Sequence, residues 1–321
     1  MKRLKVGVIG CGTWGRNHVR VFSNMPVTEV IGVADTNPTT VKETGEKYRV
    51  KWYLDPTKLM NNPDIHLISI CTPTVTHAGI ALQAIECGKH VLVEKPMTNT
   101  VEEAKTLIKA AEKHGVHLTV GFVERFNPAV QEAYRRIAEG EIGAVILAHT
   151  RRVSQKPLRI GDVGVIKDLA IHDIDIALTL FKEQPSTVYA TAGSISHQFE
   201  DYANINIGYP ENRTAFIEAN WLTPKKVRQL NVTGTKGIMT VDYITQQLTV
   251  ENDQQLTQPN IPYQEPLYLE LKSFADSIIN DTTPSVTGED GLRTLQVCEA
   301  ALKSSRTGKQ VRLPMTTTKK K

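Results

Sequence analysis

The chain is poor in cysteine, has no long apolar run and carries no strong charge of either sign. Its four cysteines (Cys11, Cys71, Cys87 and Cys298) are scattered through 321 residues. None belongs to a C-x-x-C or Cys/His pattern, so neither a zinc site nor a disulfide framework is indicated and no metal is expected. No stretch approaches the roughly 20 apolar residues of a membrane span. Met1 to Lys5 followed by apolar residues has the look of a secretory leader, but the apolar run is short and breaks into Gly10-Cys11-Gly12. A cytoplasmic protein is expected. The formal charge is +4, and Lys319, Lys320 and Lys321 supply three of it in a tail expected to fray. The body is therefore nearly neutral, and no basic stripe remains to argue for nucleic acid.

Charged residues at 22% and hydrophobic ones at 40% are globular values, and the length suits two domains. Lys5 to Ile9 reads as a buried strand that opens into Gly10, Gly12 and Gly15, followed by Val19, Phe22 and Met25 at helical spacing. Strand, glycine turn and helix form the context of a dinucleotide fingerprint. Gly10 permits the tight turn, Gly12 lets the backbone approach a pyrophosphate, and Gly15 lets helix and strand pack closely. The helix start, with Thr13 and Trp14, offers unpaired N–H groups and a positive dipole end. The next strand, Val27 to Ala34, ends at Asp35, twenty residues past Gly15. A carboxylate there accepts from ribose hydroxyls and repels a 2′-phosphate, favouring NAD over NADP. Taken alone, Asp35 also reads as a turn or N-cap residue before Pro38.

Strand and helix patterns alternate up to residue 122. Ile65–Cys71, His90–Glu94 and Val116–Phe122 are strands; Pro38–Tyr48, Thr76–Cys87 and Thr100–His114 are helices. Such repeats demand a parallel sheet with helices on both faces. The pattern changes near Val123. Phe126–Gly140 reads as a helix, Ala144–Val153 as a strand and Val165–Phe181 as a helix. Six strand candidates then run from Thr187 to Glu251, and helices over Pro266–Asn280 and Gly288–Arg306 close the chain. The expected fold is α/β: a Rossmann domain over 1–122, then an α+β domain over 123–321 with an open, mostly antiparallel sheet.

Chemistry-bearing residues cluster at the strand ends of the first domain, where open α/β sheets bind ligands. They are Thr72, Pro73 and His77; Glu94-Lys95-Pro96; and Arg125 with Asn127. In the second domain Asp168 and His172 stand four residues apart on a helix and share a face. Singly, each has a plainer reading: a surface ion pair for Lys95, a core histidine for His172, a helix-start acid for Asp168, and pairing with Glu124 for Arg125.

With these residues assembled, the chain resembles the glucose–fructose oxidoreductase/inositol dehydrogenase family (Gfo/Idh/MocA) over nearly its whole length. The combination of the glycine fingerprint, E-K-P near residue 95 and D-x-x-x-H near residue 170 carries the resemblance. It implies oxidation or reduction of sugars and polyols with NAD(P), with Lys95, Asp168 and His172 as the catalytic group. It also implies a cofactor site that includes Thr72, Pro73, His77 and Glu94, and a dimer or tetramer formed through the open sheet. One departure is Gly164-Val165-Ile166-Lys167 with Ala170, where many members carry more glycine. The phrases around Glu124-Arg125-Phe126-Asn127 and Asp168 look most like the UDP-N-acetylglucosamine 3-dehydrogenase branch, whose members oxidise the sugar 3-hydroxyl. In that reading Lys95, Arg125, Asn127, Arg152, Asp168 and His172 meet the substrate, and Arg151, Arg152, Lys156 and Arg159 lie where a diphosphate is met; each also reads as part of a solvated basic loop. The alternatives are a dehydrogenase of free sugars or inositol and a non-catalytic NAD-binding sensor. A base titrating near neutrality, such as His172, suits removal of the hydroxyl proton, and Lys95 suits polarising the oxygen. Pro96 is a candidate for a cis bond that aims Lys95.

Overall fold

The computed structural model describes residues 3–156, 161–196 and 198–313. Arg159 and the lysine tail lie outside these. The first compact unit comprises residues 1–123 together with 265–293, and the second comprises the rest.

Eleven elements alternate through the first stretch: β1 (Leu4–Ile9), α1 (Thr13–Asn24), β2 (Thr28–Ala34), α2 (Pro38–Tyr48), β3 (Lys51–Tyr53), α3 (Thr57–Met60), β4 (Leu67–Ile70), α4 (Thr74–Glu86), β5 (His90–Glu94), α5 (Val101–His114) and β6 (Leu118–Gly121). The six strands are parallel, in the order β3-β2-β1-β4-β5-β6. Chain direction across the sheet reverses at β1 and β4, the crevice where such sheets hold nucleotides. β4 is buried along its whole length, as a strand covered by helices on both faces must be. Local chemistry sets the helix limits. Asn37 accepts from the Thr39 and Thr40 amides at the start of α2. Thr100 and Glu103 form a capping box on α5, which Gly115 ends at φ +64°.

The second unit contains α6 (Pro128–Ala138), β7 (Val145–Gln155), a π-helical turn over Ile166–Ala170 continuous with α7 (Ile171–Phe181), and then β8 (Thr187–Gly193), β9 (Tyr202–Gly208), β10 (Thr214–Asn220), β11 (Leu222–Gly234), β12 (Ile238–Asp242), β13 (Gln247–Glu251) and β14 (Leu256–Thr257). After α8 (Pro266–Ile279) and α9 (Gly288–Thr307), β15 (Val311–Arg312) completes a sheet ordered β14-β13-β12-β11-β7-β10-β9-β8-β15. Its pairs are antiparallel except β7 with β10. One face is core, with Ala215, Ile217 and Ala219 buried. The other is open, and Tyr189, Asn206, Phe216, His149 and Asn231 lie in one cross-strand row on it.

Two expectations need correction. The stretch 265–293 does not belong with the rest of 123–321: Leu267, Leu271, Phe274 and Ala275 of α8 join Val19 and Phe22 of α1 in one apolar core. An amphipathic pattern reports that a helix has an apolar face, not which core receives it. The helix expected over Val165–Phe181 begins instead with a π turn. There the amide of Ile171 bonds back five residues to Ile166, so the turn widens just before His172.

Candidate active-site residues

In the first unit, the glycine turn has the geometry its pattern suggests. Gly10 sits at φ +92°, and a Cβ there would lie 2.6 Å from the Cys71 carbonyl oxygen. A Cβ on Gly15 would lie 1.7 Å from the Gly10 carbonyl oxygen, so no side chain fits. Gly12 is different: a Cβ there meets nothing within 4 Å. It is the N-cap of α1 and makes no side-chain cap to the helix start. The protein's own packing does not require Gly12, and its open surroundings at an uncapped helix N-terminus fit a pyrophosphate. Thr13 is exposed beside it and Trp14 is half-buried.

Asp35 is fixed rather than free to swing. Its Oδ2 accepts from the Cys11 amide at 2.6 Å, and its Oδ1 from the Asn37 amide at 2.8 Å. These bonds tie the end of β2 to the glycine turn and leave acceptor capacity for a ribose. Burial and the neighbouring Asp35 charge push the Cys11 thiol up to about 12, so it stays an inert thiol. Thr72 and Pro73 lie just past β4, where the Thr76 hydroxyl donates to Thr72 Oγ1 and the Pro73 carbonyl.

His77, expected to meet the cofactor, is buried with its two ring nitrogens on backbone carbonyls, Nδ1 at 2.8 Å from Pro96 and Nε2 at 2.9 Å from Thr72. It joins two strand ends and has a scaffolding place. Glu94 is likewise enclosed. It holds His18 Nε2 at 3.0 Å and accepts from the Lys95 amide at 3.2 Å. Lys95 follows directly at the end of β5, half-buried, and its peptide bond to Pro96 is cis.

In the second unit, Asp168 is 4% exposed within the π turn, and His172 is half-buried in the first turn of α7. The two lie on either side of a π-to-α junction, a feature found often at functional sites. Glu200, a residue the motif reading passed over, fixes this segment: its Oε1 accepts from the Ile166 amide at 3.1 Å. Gly164 makes room for that carboxylate, since a Cβ there would fall 2.2 Å from it.

The expected substrate cations have other occupations. Arg125 forms a two-point pair with Asp175, at 2.6 and 2.5 Å, rather than with Glu124. Arg152 is 1% exposed. It grips Asp173 at 2.7 and 3.1 Å and Glu124 at 2.7 Å, and lies over the Tyr243 ring. Burial disfavours its charge, but Asp173 and Glu124 hold it protonated. Glu124, whose burial disfavours its charge in turn, is held below the usual carboxylate range by Arg152 and Arg228. Arg152 is therefore a core residue, not a diphosphate ligand. Alternation along β7 explains it, because Arg151 points outward to Glu218 and Arg152 points inward. Asn127 is also structural. It caps α6 by accepting from the Ala129 amide and donates to the Tyr243 carbonyl. Sequence carried one signal for these partners: Asp173 and Asp175 interrupt an apolar helix, and carboxylates so placed must be paired.

A parallel six-stranded sheet with this glycine turn and Asp35 defines a dinucleotide-binding Rossmann domain. The chain belongs to the GFO/IDH/MocA family: the oxidoreductase family with an NAD-binding Rossmann fold matches residues 4–122, and the GFO/IDH/MocA C-terminal domain matches residues 130–240. It is 30% identical to the scyllo-inositol 2-dehydrogenase (NAD(+)) of Bacillus subtilis (strain 168) over 97% of this chain and 96% of that one. It is 28% identical to the UDP-N-acetylglucosamine 3-dehydrogenase of Acidithiobacillus ferrooxidans over 92% and 95%. A solved structure of the latter enzyme superposes with a TM-score of 0.88 at 25% identity, covering 96% of this chain and 99% of that one. The protein is an NAD-dependent dehydrogenase of sugars or polyols. No helix among the described residues is long and apolar enough to cross a membrane.

Proposed function

We propose that the protein oxidises a secondary ring hydroxyl of a sugar, with the 3-hydroxyl of UDP-N-acetylglucosamine as the leading substrate and the 3-keto sugar as product. Asp168 and His172 on the π-to-α junction are the observation that carries the dehydrogenase reading. A bound nicotinamide supplies the hydride acceptor. The chain's task is to hold the hydroxyl and take its proton: His172 is the proposed base, Lys95 polarises or receives from the oxygen, and Asp168 orients and balances charge. Likeness to the UDP-N-acetylglucosamine enzyme over almost the whole chain supports the substrate choice. A second reading, a free sugar or inositol, is favoured by the fate of the arginines. Arg125 and Arg152 are engaged by buried carboxylates, which suits a neutral substrate.

The open face of the large sheet, with Tyr189 and Phe216 43% and 37% exposed, supports a homo-oligomer through that face. The deciding experiment follows NAD reduction with UDP-N-acetylglucosamine, free aldoses, scyllo-inositol and myo-inositol. Turnover confined to the UDP-sugar upholds the leading reading, and turnover confined to free sugars or inositols replaces it. No turnover with any of them overturns both substrate readings and moves the search to other sugars and polyols.

A further inference from the structure

The first unit contains a buried histidine that the reaction as proposed does not use. His18 is on α1, six residues beyond the Gly12 N-cap, and is 0% exposed. Its Nδ1 lies 2.8 Å from Ser69 Oγ and its Nε2 3.0 Å from Glu94 Oε1. The other Glu94 oxygen accepts from the backbone amide of Lys95 at 3.2 Å. Serine, histidine and carboxylate in this order are also the parts of a hydrolytic triad. Here Ser69 is 0% exposed and Glu94 8%, so no substrate reaches the hydroxyl. The set is a tether.

What it tethers is the peptide that carries Lys95. Nε2 faces a carboxylate oxygen and Nδ1 faces a hydroxyl, which can donate or accept, so both ring nitrogens have a partner. The Ser69 hydroxyl, the His18 ring, both Glu94 oxygens and the Lys95 amide thus form one connected chain. Gly121 leaves the space this carboxylate occupies, because a Cβ there would lie 3.0 Å from its Cδ and 3.1 Å from each oxygen. We propose that His18 is a positioning residue for Lys95, acting through the Glu94 carboxylate. The helix that begins at the glycine turn and the amide of the lysine thereby belong to one buried network. This inference rests on the reading that Lys95 acts in the reaction.

The test uses the full chain and needs no knowledge of the substrate. Competitive acetylation with acetic anhydride, read by peptide mass spectrometry across pH, reports the reactivity of Lys95 against exposed Lys109 as internal reference. His18→Phe and Glu94→Gln are expected to change the Lys95/Lys109 ratio at least threefold and to displace its pH profile. His18→Gln, which restores a donor, is expected to return the ratio toward wild type. In His18→Phe, NADH affinity should stay within about threefold. With a substrate found in the panel above, kcat should fall roughly 10- to 100-fold with KM little changed, the scale of a small misplacement. An unchanged ratio and pH profile in folded His18→Phe overturns the proposal. If that variant does not fold, isosteric Glu94→Gln decides in the same way. Lys95→Met separates the two claims: full turnover in it sinks the catalytic reading of Lys95, while the acetylation ratio in His18→Phe still tests the tether.

Discussion

Arg152 and Asp173 meet through two hydrogen bonds of 2.7 and 3.1 Å in a place where neither is more than 1% exposed. Truncating one partner of such a pair leaves a buried, uncompensated charge. Arg152→Met should therefore cost about 3–5 kcal/mol of stability in urea unfolding. A variant with native stability and weakened substrate binding would return Arg152 to the substrate site.

The glycines of the turn should separate by assay. Gly15→Ala cannot be accommodated against the Gly10 carbonyl, so both NADH binding and thermal stability should be lost. Gly12→Ala meets only open space, so its melting temperature should hold while NADH affinity falls at least about tenfold, one lost or crowded phosphate contact being of the order of 1.4 kcal/mol. Fluorescence titration and a thermal melt on each variant distinguish the two outcomes.

Asp35 should govern the choice of cofactor. Asp35→Ser removes the charge that repels a 2′-phosphate, so the NADH/NADPH affinity ratio should fall by about tenfold or more. An unchanged ratio would assign Asp35 to the loop alone, through its bonds to the Cys11 and Asn37 amides.

Acid sensitivity has a source at the opposite ends of the strands. Burial, and then the nearby His117 and His66, lower His90 from its usual 6.5 to about 4, against the opposing pull of Asp281. The folded value lies below the unfolded one, so the unfolded chain binds more protons between them. This contribution is fully present above about pH 6.5 and is lost as pH falls toward 4. His90 Nδ1 accepts from the His117 amide. His90→Asn keeps an acceptor there and should flatten the decline in stability across that window.

How much of this was legible depended on whether the signal was local. The glycine turn, Asp35 and the strand ends were readable because their chemistry lies within a few residues. The occupations of Arg125, Arg152, Asn127 and His77 were not. Each is decided by a partner far away in sequence: Asp175, Asp173, Tyr243 and Pro96. A basic residue awaiting an anionic ligand and one already held by a buried carboxylate look alike in a string of letters. The π turn was hidden for a related reason, since Glu200 and Gly164 shape its start from separate segments.

The apolar face of α8 carries a consequence for biosynthesis. The nucleotide-binding unit opens at the first residues of the chain, yet part of its interior is supplied by 265–293. During translation the ribosome must therefore deliver most of the 321 residues before that interior can close. Until then the nascent glycine-turn region is left with Val19 and Phe22 lacking the part of their cover that α8 supplies.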